Sequence, residues 1–265
     1  MLGAIAGDMI GKPYELVPIK TITFPLFGLA SGFTDDTVLT VAVADALLTE
    51  RPYVDVVHQY GRLYPDCGYG FHFFKWIKSE SREPYGSFGN GSAMRVSLVA
   101  WRHDALDEVL AEAERSAAIT HDHPEGIRGA QATATAIFLA RTGVSKDAIR
   151  AQISKRFGYD LSTTIEHLRP FYVFDVTCQG TVPAALISFL DSSDFESAVR
   201  NAVSLGGDAD TLACITGSVA EAYYGGVPRA IEERVWALLD ERLRKVTREF
   251  RSRYVEPRLA ARGTS

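Results

Sequence analysis

Two short acidic stretches carry the residue types best suited to chemistry. Residues 205–212 read LGGDADTL and residues 33–40 read FTDDTVLT. In each, carboxylates and a threonine hydroxyl stand directly before an apolar run of helical periodicity. Helix capping accounts for part of this. Thr34 is a favoured N-cap, and Asp35 and Asp36 suit the positive end of a helix dipole, each contributing a few tenths to ~1 kcal/mol. Capping alone does not account for the other stretch. In an ideal helix Asp208 and Asp210 point ~200° apart, so both face one point only from a non-helical turn. Gly206 and Gly207 have the backbone freedom to form it.

If the two turns meet in space, four carboxylates converge, and their repulsion must be relieved by raised pKa values or by cations. Asp35, Asp36, Asp208 and Asp210, with the Thr34 and Thr211 hydroxyls, offer only oxygen ligands. Such a set selects hard ions, Mg²⁺ or Mn²⁺, and its size suits two ions at ~3.5 to 4 Å. Spacing by itself does not make the two turns neighbours.

Their meeting depends on helices. TVLTVAVADALLTE (37–50) is apolar at nearly every position and predicts a helix buried on most sides. Helices are also predicted over 105–119, 126–143, 182–192, 195–206 and 211–225, and as one long element over 228–250. Gly143, Gly206 and Gly225 sit where C-terminal caps belong, and Asp194 and Pro228 where helices begin. Only TITF (21–24) and YVFDVT (172–177) read as strands. The expected fold is all-α, one compact domain over residues 1–265 with about ten or more helices and a dinuclear metal site between helix N-termini.

Composition narrows the function classes. The chain has 265 residues, 46% hydrophobic, and a formal charge of -5, which provides no general basic field for nucleic acid. Its one basic cluster, ERLRKVTREFRSRY, is interleaved with apolar residues as a solvated helix face is. Three cysteines, Cys67, Cys178 and Cys214, lack metal-ligand spacing and fit a reducing compartment. No apolar run reaches the ~18 residues of a membrane span, and Asp8 interrupts the N-terminal one. A cytoplasmic monomer without membrane or nucleic-acid partners is expected.

Five segments in order, GAIAGDMIGKPYE, FTDDTVLT, GSFGNGSAMR, ITHDHPEGIRGA and LGGDADTLACITGSVAEAYYG, resemble the ADP-ribosylglycohydrolase family over residues 3–225. The resemblance implies an all-helical hydrolase that binds two Mg²⁺ or Mn²⁺ ions through Thr34, Asp35, Asp36, Asp208, Asp210 and Thr211. It makes Glu15, the end of the GDxxGxxxE pattern, the catalytic acid on a mobile flap, and leaves Asp8 between a metal-linked and a helix-organising role. It assigns Gly86, Ser87, Phe88, Gly89, Asn90 and Gly91 to ADP-ribose. A glycine-rich turn before a helix can cradle a diphosphate on backbone amides, although such turns are also common without a ligand. His121 matches the family histidine near the phosphates. His123 does not match and reads as a surface or capping residue. Arg95 is a phosphate ligand or the partner of a core acid, and Phe88 or a residue of 172–176 would stack on adenine. GSFGNGS lacks the aspartate of the arginine-specific members and is similar to the type 3 branch, which implies O-linked ADP-ribose on a protein or a small molecule such as O-acetyl-ADP-ribose. The chain is short for that branch.

Overall fold

The computed structural model describes residues 1–262. Its helices are α1 (Leu2–Glu15), α2 (Asp35–Thr49), α3 (Tyr53–Leu63), α4 (Phe71–Lys78), α5 (Gly91–Met94), α6 (Ser97–Arg102), α7 (Leu106–Ala118) and α8 (Pro124–Arg141). There follow α9 (Lys146–Phe157), α10 (Ile165–Leu168), α11 (Cys178–Leu190), α12 (Phe195–Val203), α13 (Ala209–Tyr224), α14 (Arg229–Leu238), α15 (Glu241–Phe250) and α16 (Glu256–Arg262), the last two joined by a π-helical turn. The fold is all-α, and no helix among the described residues is long and apolar enough to cross a membrane.

α13 runs through the centre. Every residue from Ala209 to Ala222 is buried, which is why its sequence shows an apolar run rather than a stripe. α1, α8, α11 and α12 pack around it. The α1 contact is the closest, because Gly3, Gly7 and Gly11 repeat every four residues and face Gly217, Ala213 and Ala209 in turn. A Cβ on Gly3, Gly7 or Gly11 would stand 2.1, 2.0 or 2.4 Å from the carbonyl oxygen opposite. This approach carries Asp8 and Glu15, both on α1, toward the start of α13.

Capping chemistry explains most boundaries. Thr34 caps α2 by accepting from the Asp36 amide. Asp194 and Ser197 form a reciprocal box at α12, and Gly225 closes α13 at φ 82°. Two expectations need correction. TITF and YVFDVT are not strands: apart from a single bridge between Thr177 and Gly89, both are irregular, since no neighbouring strand completes a sheet. The long helix over 228–250 is two, broken at Leu239, because the Asp240 side chain accepts from the Leu243 amide and starts α15 anew. Glu15 is the last residue of α1. The irregular segment after it is pinned by Lys20, which donates to the Tyr172 and Leu205 carbonyls, and by Arg200, which donates to those of Ile22 and Phe24.

Candidate metal and ligand site

The turns at Thr34 and Asp208 do meet. The Thr211 hydroxyl donates to Asp36 Oδ2 at 3.2 Å across 175 residues of chain. Two carboxylate triads result: Asp8, Asp36 and Asp210, and Glu15, Asp208 and Asp210, each with ligand oxygens within 4.8 Å of one another. Asp210 belongs to both. Asp35 joins neither triad and stands half-buried at the cleft wall.

Each acid has a distinct situation. Asp8, fully buried, accepts from the Thr34 amide at 2.9 Å and hydroxyl at 2.7 Å, from the Thr37 amide at 3.1 Å, and from the Thr37 hydroxyl. It fixes the first turn of α2 to α1, and the single aspartate in an apolar run gave little sign of this in the sequence. Asp208 accepts from the Asn90 amide at 2.6 Å, and Asp210 from the Thr211 backbone at 3.0 Å. Asp36 is 1% exposed, yet its Oδ1 has no hydrogen-bond partner. A buried, unpartnered carboxylate oxygen is costly unless a cation meets it, so this donor set fits hard divalent ions. Burial, reinforced by the neighbouring carboxylates, pushes Asp35, Asp36 and Asp210 well above the usual range. Glu15 is raised by partial burial and then by Asp208 and Asp8.

Beside the carboxylates opens a cleft of about 390 Å³ lined by Ser87, Gly89, Asn90, Gly91 and His121 as well as by the acids. Gly86, in the left-handed region at φ 67°, and Phe88 stand outside the lining. Phe88 packs on His123, ring centroids 5.2 Å apart, and Phe174 is the aromatic residue of 172–176 that reaches the cleft. The amide cradle is smaller than the glycine pattern suggests. The backbone amides of Gly86, Ser87, Gly89 and Asn90 already bond to Asp122, the Thr120 carbonyl, the Ser87 hydroxyl and the Val176 carbonyl. The helix behind the loop has only four residues, Gly91–Met94, so it adds little dipole. Asn90 is spent inward: its Nδ2 donates to Thr181 Oγ1 and Asp208 Oδ2, tying the loop to the acidic cluster. His123 caps α8, its ring accepting from the Glu125 amide. Arg95 has no core acid as partner and bonds instead to the Ser116 carbonyl and the Thr120 hydroxyl.

A profile of the ADP-ribosylglycohydrolase family matches residues 1–261. The chain belongs to the ADP-ribosylglycohydrolase family. On that footing it is a hydrolase acting on glycosyl bonds. Among similar proteins, ADP-ribosylhydrolase ARH3 of Mus musculus is 28% identical over 305 aligned positions, covering 85% of this chain and 82% of that protein. The Homo sapiens protein of the same name is 27% identical, with 85% and 84% covered. ADP-ribosylarginine hydrolase Tri1 of Pseudomonas putida (strain GB-1) is 25% identical, covering 94% of this glycohydrolase and 76% of its relative. A solved structure titled "ADP-ribosylglycohydrolase-related protein complex" superposes with a TM-score of 0.68 at 28% identity, covering 92% of this chain and 94% of the other.

Proposed function

We propose that this glycohydrolase is a divalent-cation-dependent ADP-ribosyl hydrolase that cleaves the glycosidic bond at C1 of the distal ribose, with O-linked ADP-ribose on protein or O-acetyl-ADP-ribose as preferred substrate. The unpartnered oxygen of Asp36, a member of one of two triads that share Asp210, carries the reading. Two Mg²⁺ or Mn²⁺ ions would be held by Thr34, Asp35, Asp36, Asp208, Asp210 and Thr211, Asp35 reaching them from the cleft wall. When bound, such cations supply Lewis-acid polarisation and orient ribose hydroxyls. Asp8 accepts the Thr34 hydroxyl hydrogen, and with one lone pair of that oxygen capping α2 the other is left for a cation.

Glu15 borders the cleft at the end of α1, close to Asp208 and Asp210. Its raised pKa suits a group that passes a proton to the leaving oxygen or takes one from the attacking water. In the first case the proton leaves Glu15 for the departing hydroxyl as the C1–O bond breaks. In the second it moves from water to Glu15 as the new C1–O bond forms. Ser87, Gly89, Gly91 and His121 line the same cleft, and the diphosphate would lie against them. The preference for O-linked substrates rests on GSFGNGS, which has no aspartate. Likeness to the arginine-specific Tri1 is the specific observation for the other linkage.

Thermal unfolding with Mg²⁺ and ADP-ribose, separately and together, should show stabilisation by each. Hydrolysis of serine-, acetyl- and arginine-linked ADP-ribose then identifies the bond. Asp210→Ala breaks both triads and is expected to remove the Mg²⁺-dependent shift and hydrolysis together. Hydrolysis retained in that variant would refute the metal-dependent reading, and cleavage of arginine-linked substrate alone would refute the O-linked preference.

A further inference from the structure

Arg95 is wholly buried, with no carboxylate in ion-pair distance among the described residues. Its Nη2 donates to the Ser116 and Ala117 carbonyls, in the last turn of α7, and to Thr120 Oγ1 at 2.9 Å. Nε and Nη1 have no acceptor. Closing the end of α7 therefore uses one nitrogen of three and leaves the charge without a counterion, at the lining of the cleft. A buried cation with no partner is destabilising unless something anionic approaches.

The path continues to His121. Arginine only donates, so Thr120 Oγ1 accepts from Nη2, and the same oxygen lies 2.7 Å from His121 Nδ1. Arg95 takes one lone pair of that oxygen, and its charge turns the Thr120 hydroxyl hydrogen away from Nη2, which favours donation to Nδ1 over acceptance from it. In that arrangement the ring proton stands on Nε2. That nitrogen faces the open side of the glycine turn: a Cβ on Gly91 or Gly89 would lie 3.1 or 3.6 Å from it. Burial and the Arg95 charge both hold the ring well below its ordinary pKa, so it stays uncharged.

We propose that Arg95 and Thr120 are positioning residues that fix His121 as the neutral Nε2–H tautomer, a donor aimed into the cleft at the diphosphate of an ADP-ribosyl ligand. The ligand assignment rests on the functional reading above; the ring state does not. A cationic histidine adds a charge that attracts any anion, whereas a neutral ring with a fixed N–H selects an acceptor oxygen at one position.

Nitrogen-15 NMR of the imidazole side chains, with the His121 signals assigned by their loss in His121→Gln, reads the ring state directly. The wild type is expected to show an unprotonated Nδ1 and a protonated Nε2. Thr120→Val, which keeps the shape and removes the hydroxyl, should give mixed tautomers and weaken ADP-ribose binding, measured by calorimetry with Mg²⁺ present, by about tenfold or more. Thr120→Ser should restore both. Arg95→Lys, which keeps the charge and loses the guanidinium fork, should also mix the tautomers. An Nδ1–H ring or an imidazolium in the wild type overturns the proposal, as does a folded Thr120→Val or Arg95→Lys protein unchanged in ring state. A wild type with the expected tautomer but no affinity for ADP-ribose would overturn the ligand assignment and the functional reading while leaving the relay intact.

Discussion

Replacing Gly7 with alanine tests the link between helix packing and the acidic cluster. The added Cβ would stand 2.0 Å from the Ala213 carbonyl oxygen, 2.3 Å from its carbon and 2.6 Å from the Cys214 nitrogen. All three are backbone atoms inside a helix, so no side chain can swing aside. Reaching ordinary contact near ~3.5 Å requires α1 to move away by roughly 1 to 1.5 Å. Asp8, the next residue, moves with it, and its bonds of 2.7 to 3.1 Å to Thr34 and Thr37 stretch past hydrogen-bonding range. Overpacking costs about 1 to 3 kcal/mol, and two lost hydrogen bonds add about 1 kcal/mol each. The better helix propensity of alanine returns about 1 kcal/mol. A net loss of about 2 to 4 kcal/mol follows, a fall in Tm on the order of 10 °C. Urea unfolding gives the free energy, and a Mg²⁺ titration followed by thermal shift reports the cluster. If Gly7→Ala is as stable as the wild type to within about 0.5 kcal/mol and responds equally to Mg²⁺, the close approach does not position the site.

Further outcomes are expected. Glu15→Gln should keep the Mg²⁺-induced stabilisation while hydrolysis falls about 100-fold or more; an unchanged turnover number removes Glu15 from the chemistry. The metal-free protein should lose stability as pH rises. Asp35, Asp36 and Asp210 have folded pKa values raised well above the unfolded ones. The folded state therefore binds more protons, and this contribution is complete below ~4 and declines as pH climbs toward the raised values. Urea unfolding with EDTA at about pH 5 and about pH 8 checks the sign, and equal or greater stability at the higher pH would contradict it. Asp240→Ala removes the cap of α15 and the acceptor of the Tyr64 hydroxyl at 2.7 Å, for an expected loss of about 1 to 2 kcal/mol by denaturant unfolding.

What could be read from the sequence was local. DADT announces itself because two carboxylates on a glycine hinge exceed what a cap needs, TDDT gains meaning beside it, and caps such as Asp194 and Gly225 are decided within four residues of chain. What escaped was set by distant partners. Asp8 in an apolar stretch gives no local sign of the two threonines it joins, and the repeat of Gly3, Gly7 and Gly11 acquires meaning only against α13. Asn90 reads as a ligand contact by position, yet its amide is drawn to Asp208, 118 residues away. The break at Leu239 was hidden because the helical period of the apolar residues continues across it, while Asp240 competes for the backbone. The segment 172–177 has β-prone residues but no neighbouring strand, and propensity without pairing does not make a sheet.

The contact of α1 with α13 also sets an order of events during synthesis. At ~5 to 20 residues per second, the interval between Asp36 and Thr211, 175 residues apart, lasts roughly 10 to 35 s. Throughout it, the face of α1 around Gly7 lacks its counterpart and Asp8 and Asp36 lack Asp210. The nascent chain thus carries an apolar helix whose main packing partner has not yet been made. On the proposed reading, cation capture is a late event, possible only after α13 has left the ribosome.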